Sequence, residues 1–313
     1  MRTNKILSRK IVPGAFFVCA FLALGVGHFR AAAQGQTPQR RESRKPKVVR
    51  DLLWVWGNPE MAKEGEHTLA TFADASPLQR ARLLGVPNVV LAGHGLPNDD
   101  EKAERLTQEV SSAPRLVWES EADDVPAGQA RRFVYEKHMA QVCKLVDKYP
   151  QIEGVLLDDL SSLGIDQGFK PEHIRHVREL LPGHYRSVKV WGVVYTMNFN
   201  RPHLNDYLKE LEVINLWTWH ARDVVNLETN VVHVERLFPK KPIVLGLYLY
   251  DYGAGGRMPL DLLQQQCETA LKLAHAGRIE GIAFLTINND PEAVGWTANW
   301  VKQVGEQKLK RAP

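Results

Sequence analysis

The chain has 313 residues, 44% hydrophobic and 24% charged, which is enough for one large α/β domain with a sizeable core. Its formal charge of +4 is unevenly spread. Residues 1–50 hold 11 Lys/Arg and one acid, so the remaining 263 carry 29 Lys/Arg and 35 Asp/Glu, a net −6. A mildly acidic domain argues against a nucleic-acid face.

The N-terminus reads as a targeting segment. Arg2, Lys5, Arg9 and Lys10 precede an apolar run over 11–27, and Ala31-Ala32-Ala33 stands before Gln34. Basic, then apolar, then small residues is the order of a secretory signal peptide, residues 1–33. The run is short for a membrane span, so cleavage is preferred to an uncleaved anchor. No integral span is expected after cleavage, and the protein is expected to be secreted or periplasmic. Cys19 has no lipobox around it. Residues 34–50 are rich in Gln, Arg, Lys and Pro and read as a disordered basic linker. Cys143 and Cys267 remain after cleavage, bridged or free, and no metal-type Cys/His spacing is present.

From residue 51 strand-like and helix-like segments alternate to about 305, with 306–313 as a C-terminal tail. Leu52 to Trp56 reads as the first strand, and a helix follows over 76–84, with Ser76 as cap and Pro77 in the first turn. Strands at 88–92 and 115–119 are followed by helices at 99–110 and 129–148. The fourth strand, 154–158, lies in the apolar run Ile152-Glu153-Gly154-Val155-Leu156-Leu157 and ends in Asp158-Asp159. Strands at 188–195, 213–219, 243–250 and 281–287 follow, each trailed by a helical pattern. Eight strand-plus-helix units in a little over 250 residues imply a (β/α)₈ TIM barrel. An open doubly wound sheet is the alternative, but no Gly-rich phosphate loop follows the first strand and no cofactor is expected.

A barrel's ligands bind at the C-terminal ends of its strands. Those ends supply Trp54, Trp56, His94, Glu119, Glu121, Asp158, Asp159, Tyr195, Trp217, Trp219, His220, Tyr248, Tyr250, Asp251 and Asn288. Flat aromatic faces stack on sugar rings, and carboxylates, Asn and His bond to sugar hydroxyls. Trp54, Trp56, His94, Tyr195, Trp217, Trp219, His220, Tyr248, Tyr250 and Asn288 are the candidate sugar contacts, although about half of the aromatics are expected to be packing. Asp290, before Pro291, reads as a helix cap.

Burying two carboxylates costs several kcal/mol unless they have partners, which makes Asp158 and Asp159 the strongest catalytic candidates. Neighbours on a strand face opposite ways, so one is expected to face the mouth and the other to brace a loop. Glycosidic hydrolysis usually uses a second carboxyl group, for which Asp159, Glu119, Glu121 and Asp251 are the candidates.

The Gly154-x-x-x-Asp158-Asp159 ending, with aromatic strand ends in a (β/α)₈ chain, resembles the glycoside-hydrolase-like barrels. The nearest pattern is the endo-α-1,4-polygalactosaminidase-like family. The resemblance implies that Asp158 and Asp159 belong to a catalytic site acting on a carbohydrate. The chitinase-type D-x-x-D-x-D-x-E strand differs: its last three key positions fall on Leu156, Asp158 and Leu160, and only Asp158 matches. A secreted glycoside hydrolase is therefore the leading reading. A non-catalytic carbohydrate-binding barrel is second, and a metal-dependent hydrolase or isomerase built on His94, Glu119, Asp158, His220 and Asp251 is third. No H-x-H or H-E-x-x-H spacing supports a metal site. The oligomeric state is left open.

Overall fold

A computed structural model describes residues 46–93, 95–120, 135–166, 168–181, 183–288 and 290–309. The segment read as a signal peptide and most of that read as linker, with His94 and Glu121, lie outside the described residues. Eight parallel strands close into a barrel: β1 (Leu53–Gly57), β2 (Asn88–Leu91), β3 (Leu116–Glu119), β4 (Ile152–Leu157), β5 (Lys189–Tyr195), β6 (Val213–Trp217), β7 (Ile243–Tyr248) and β8 (Gly281–Leu285). Every strand pairs with its sequence neighbours, and β1 closes the ring against β8 through Leu53–Ile282 to Trp56–Leu285. The main helices are α1 (Pro77–Leu84), α2 (Asp100–Glu109), α3 (Tyr135–Lys148), α4 (Pro171–Glu179), α5 (Leu204–Glu210), α6 (Leu227–Leu237), α7 (Leu260–His275) and α8 (Pro291–Val304).

The strands are apolar on both faces because both are covered. On β1, Leu53 and Val55 face outward into the layer shared with the helices, while Trp54 and Trp56 face the lumen. Helix starts follow local chemistry. Ser76 and Gln79 form a reciprocal capping box before α1, and Asp290 caps α8 by accepting from Glu292 N at 3.0 Å. Asp290 is thus the helix cap expected of it, with an ion pair to Arg257 besides.

The domain boundaries differ slightly from the sequence expectation. The end of the segment read as linker is ordered and belongs to the barrel. Val48 bridges Lys308, Val49 N bonds to Gln307 O at 2.9 Å, and Val49 is fully buried. Residues 306–309, read as tail, are the other half of this strap. A single apolar pair, Val48-Val49, carries the contact, too short to give a period. Cys143 and Cys267 are both free thiols, and Cys267 is buried in α7, which pushes its pKa up. Among the described residues no helix is long and apolar enough to cross a membrane.

The lower lumen is filled by tryptophan. Trp54 of β1 and Trp191 of β5 meet across the barrel edge to face, with centroids 5.3 Å apart. One step higher, Trp56 meets Trp217 of β6 at 5.4 Å. Glycine makes room for these rings. A Cβ on Gly246 would lie 1.9 Å from the Trp217 ring, and one on Gly154 would lie 2.6 Å from Trp191 Nε1. Arg115 closes the floor, 4.6 Å above the Trp54 ring and paired through two nitrogens with Glu153.

Candidate functional site

The site is built where the strands end. β4 stops at Leu157, one residue before the sequence placed its end. Asp158 continues the lumen-facing series of Gly154 and Leu156. Asp159 then takes a left-handed backbone (φ 47°), a conformation Asp tolerates better than most residues, and a π-type turn follows over Leu160–Gly164. The rule that adjacent residues face opposite ways therefore fails here, because it holds only within a strand. The turn brings both acids to the same side. Asp158 Oδ1 accepts from Asp159 N at 2.8 Å, and Asp159 Oδ1 accepts the Tyr195 hydroxyl at 2.6 Å.

The β5 end holds this turn in place. Tyr195 N donates to Ser161 Oγ at 2.8 Å, and Asn198 Nδ2 donates to Ser161 O at 2.8 Å. On the other side the Tyr248 hydroxyl, at the end of β7, is hydrogen-bonded to that of Tyr195. Burial raises both phenol pKa values well above the ordinary range, and the charges of Asp158 and Asp159 push them the same way. Two neutral hydroxyls thus stand beside two carboxyl groups.

The other sequence candidates divide by depth. Trp54 is fully buried one layer below Trp56, between Trp191 and the floor, so its place among the sugar contacts is corrected to core packing. Trp56 and Trp217 are 4% and 2% exposed and form the layer beneath the tyrosines. Trp217 donates Nε1 to Asn215 Oδ1 at 2.8 Å, a bond that fixes its ring. Trp219 is half-buried at the rim, edge-on to Tyr195 at 5.3 Å and to Tyr248 at 6.1 Å.

Glu119 ends β3, is 3% exposed and accepts from Gly93 N. Asp251 accepts from the backbone amides of Ala221 at 3.3 Å and Ala254 at 3.1 Å, which ties the β6–α6 and β7–α7 loops together. His220 packs on Gly253, where an added Cβ would lie 1.9 Å from its Nδ1. Tyr250 is not on β7. It belongs to a small rim hairpin that pairs Tyr250 with Arg257 and Asp251 with Gly256. Asn288 is exposed, with φ 54°, and hydrogen-bonds the Tyr252 side chain.

Tyr252, absent from the candidates, is central. It stacks between Trp219 at 5.5 Å and Tyr248 at 4.9 Å, and its hydroxyl donates to Ile287 O at 2.8 Å. Burial pushes its pKa up to about 12. The run Tyr248-Leu249-Tyr250-Asp251-Tyr252 was its signal in the sequence, but Tyr252 lies beyond the expected strand.

The residues proposed for a metal are only partly described. His94 lies outside the described residues, and Glu119 and Asp251 are bound to backbone amides. Among the described residues no three His, Cys, Asp or Glu side chains are placed to hold an ion.

No family profile and no curated protein matches the sequence. Solved structures do match the fold. Active domain 2 of a Pyrococcus furiosus chitinase superposes with a TM-score of 0.51 at 12% identity, over 83% of this chain and 98% of that one. The spore cortex-lytic enzyme SleL of Bacillus megaterium gives 0.52 at 8% identity, over 85% and 76%. The chain spans only 30% of a Bacteroides uniformis β-glucuronidase, at 11% identity and a TM-score of 0.49. At such identities the likeness concerns the fold: a (β/α)₈ barrel of the kind found among glycoside hydrolases.

Proposed function

We propose that the protein is an exported glycoside hydrolase that cleaves a poly- or oligosaccharide in the mouth formed by Asp158, Asp159, Tyr195, Tyr248 and Trp219. One observation carries the reading: the Asp159 carboxyl accepts the Tyr195 hydroxyl, and the charges of both Asp158 and Asp159 act on the buried Tyr195 and Tyr248 hydroxyls, with an aromatic edge beside them. Hydrolysis of a glycosidic bond needs a proton for the leaving oxygen and a negative charge to support the oxocarbenium-like transition state. Asp159, fixed as an acceptor by Tyr195, suits the second task, and Asp158 the first. Glu119 and Asp251 accept from backbone amides, as Asp158 does, but only the adjacent pair lies against the Tyr195 and Tyr248 hydroxyls, which favours it.

The substrate class follows from charge. Arg201 at the rim is spent on Asp166 at 2.6 Å, and Arg257 on Asp290 and Glu292. A mouth with acids at its centre disfavours uronic-acid polymers and favours neutral or amino sugars. This agrees with the resemblance to the polygalactosaminidase-like barrels. The test is release of reducing ends from neutral, amino-sugar and uronic-acid polysaccharides. Cleavage confined to polyuronates would contradict the proposal.

A non-catalytic sugar-binding barrel is the second reading, favoured by the engagement of Glu119 and Asp251. It predicts binding without product, unchanged by Asp158→Asn. Export is tested by N-terminal sequencing of the mature protein, which should begin at Gln34.

A further inference from the structure

The β7–α7 loop carries aromatic surface beyond the acid pair. From Tyr248, ring centroids step 4.9 Å to Tyr252 and then 5.3 Å to Tyr250, outward along the rim hairpin. Beyond Tyr250 lies a groove of about 390 Å³, lined by Tyr250, Arg257, Asp290, Pro291 and Glu292. The hairpin is braced on both flanks. Gly253 N donates to Trp219 O at 3.2 Å, and the Tyr252 hydroxyl donates to Ile287 O at 2.8 Å. Arg257 Nε donates to Asp290 Oδ2 at 2.8 Å. A loop fixed to both neighbouring loops presents its rings without further ordering, the condition under which aromatic contacts yield affinity.

We infer that the Tyr250 groove is an outer sugar-binding position, occupied by the same neutral or amino-sugar chain whose inner residue lies at Asp158 and Asp159. The inference rests on the glycoside reading and deepens it. The aromatic line joins the groove to the acid pair without a break, so one chain can follow it. Tyr250 offers the stacking face, and Arg257 and Glu292, 70% and 56% exposed and neutralising each other, keep N–H and carboxylate oxygens that bond to ring hydroxyls. A position this far along the rim makes the enzyme a reader of chain length, with preference for polymers over short fragments.

The test measures binding to soluble ladders of glucosamine, galactosamine and N-acetylglucosamine oligomers, from disaccharide to hexasaccharide. The full mature protein is used with Asp158→Asn, so that turnover does not consume the ligand. Affinity is expected to rise about tenfold as the chain lengthens into the groove. Tyr250→Ala should abolish that rise, and Tyr250→Phe, which keeps the ring, should retain it. Thermal melting of each variant separates lost binding from lost folding. An unchanged length dependence in Tyr250→Ala would overturn the inference while leaving the glycoside reading intact. No binding of these ladders, nor of matching neutral cello- and malto-oligosaccharide ladders, by either protein would overturn both.

Discussion

The floor and the mouth of this barrel use the same kind of residue for opposite ends. At the floor, Trp54 and Trp191 close on each other edge to face, and a paired Arg115 lies against the Trp54 ring. At the mouth, Tyr195, Tyr248 and Trp219 also pack edge to face, but two carboxyl groups stand beside their hydroxyls. Every floor ring meets glycine or another ring, so it contributes burial. The Trp54 and Trp191 indole N–H groups are buried with no hydrogen-bond partner among the described residues, whereas the mouth phenols have theirs, Asp159 supplying one. An aromatic strand pattern alone does not separate stability from chemistry; the neighbour on the next strand does.

The largest effect is expected at the floor. Trp54→Ala should lower unfolding free energy by about 3–5 kcal/mol, read by denaturant titration, because the lumen cannot collapse around so large a gap. A loss under about 1 kcal/mol would mean that the floor is not packed as described.

Alkaline pH should distinguish the two ends next. The folded pKa values of Tyr195, Tyr248 and Tyr252 are raised, the last to about 12. Their stabilisation is therefore fully present below the unfolded value near ~10 and is lost as pH rises through the folded values. In that window each protonated tyrosine costs about 1.4 kcal/mol per pH unit. Tyrosinate absorbance should show these phenols titrating together with unfolding. Their titration at the ordinary pKa in a folded protein would contradict the buried hydroxyl pair.

Gly246→Ala tests how closely the two layers meet. The added methyl enters the Trp217 ring, so a loss of about 1–3 kcal/mol is expected. Combining it with Trp217→Leu should recover part of that loss, since the two changes share one contact. The smallest effect belongs to the rim. Asp290→Ala removes the α8 cap and the Arg257 pair and should cost about 1 kcal/mol. Arg257 holds the Asp290 carboxyl below its ordinary pKa, so this contribution is present above the unfolded value and fades as pH falls through the folded one.

Most of the fold was legible because each element has its own period or punctuation. Pro77 and Pro291 open helices, and Gly277 ends one. The apolar runs of β4 and β7 announce strands covered on both faces. The site was legible only as a set of strand ends. Its geometry was not, because it depends on where each strand stops. Asp158 and Asp159 converge through a turn that starts one residue after β4, and no periodicity marks that residue. Tyr252 lay past the expected end of the seventh strand, and Trp54 looked like Trp56 until their depths were known.

The most direct test compares wild type with Asp158→Asn and Asp159→Asn on one cleavable neutral or amino-sugar polymer. Each replacement keeps the side chain's shape, so melting temperatures should stay close to wild type. The account predicts that Asp158→Asn lowers kcat about 100-fold or more while the sugar still binds. Full activity in both variants would contradict the assignment of the acid pair and return the barrel to a binding role.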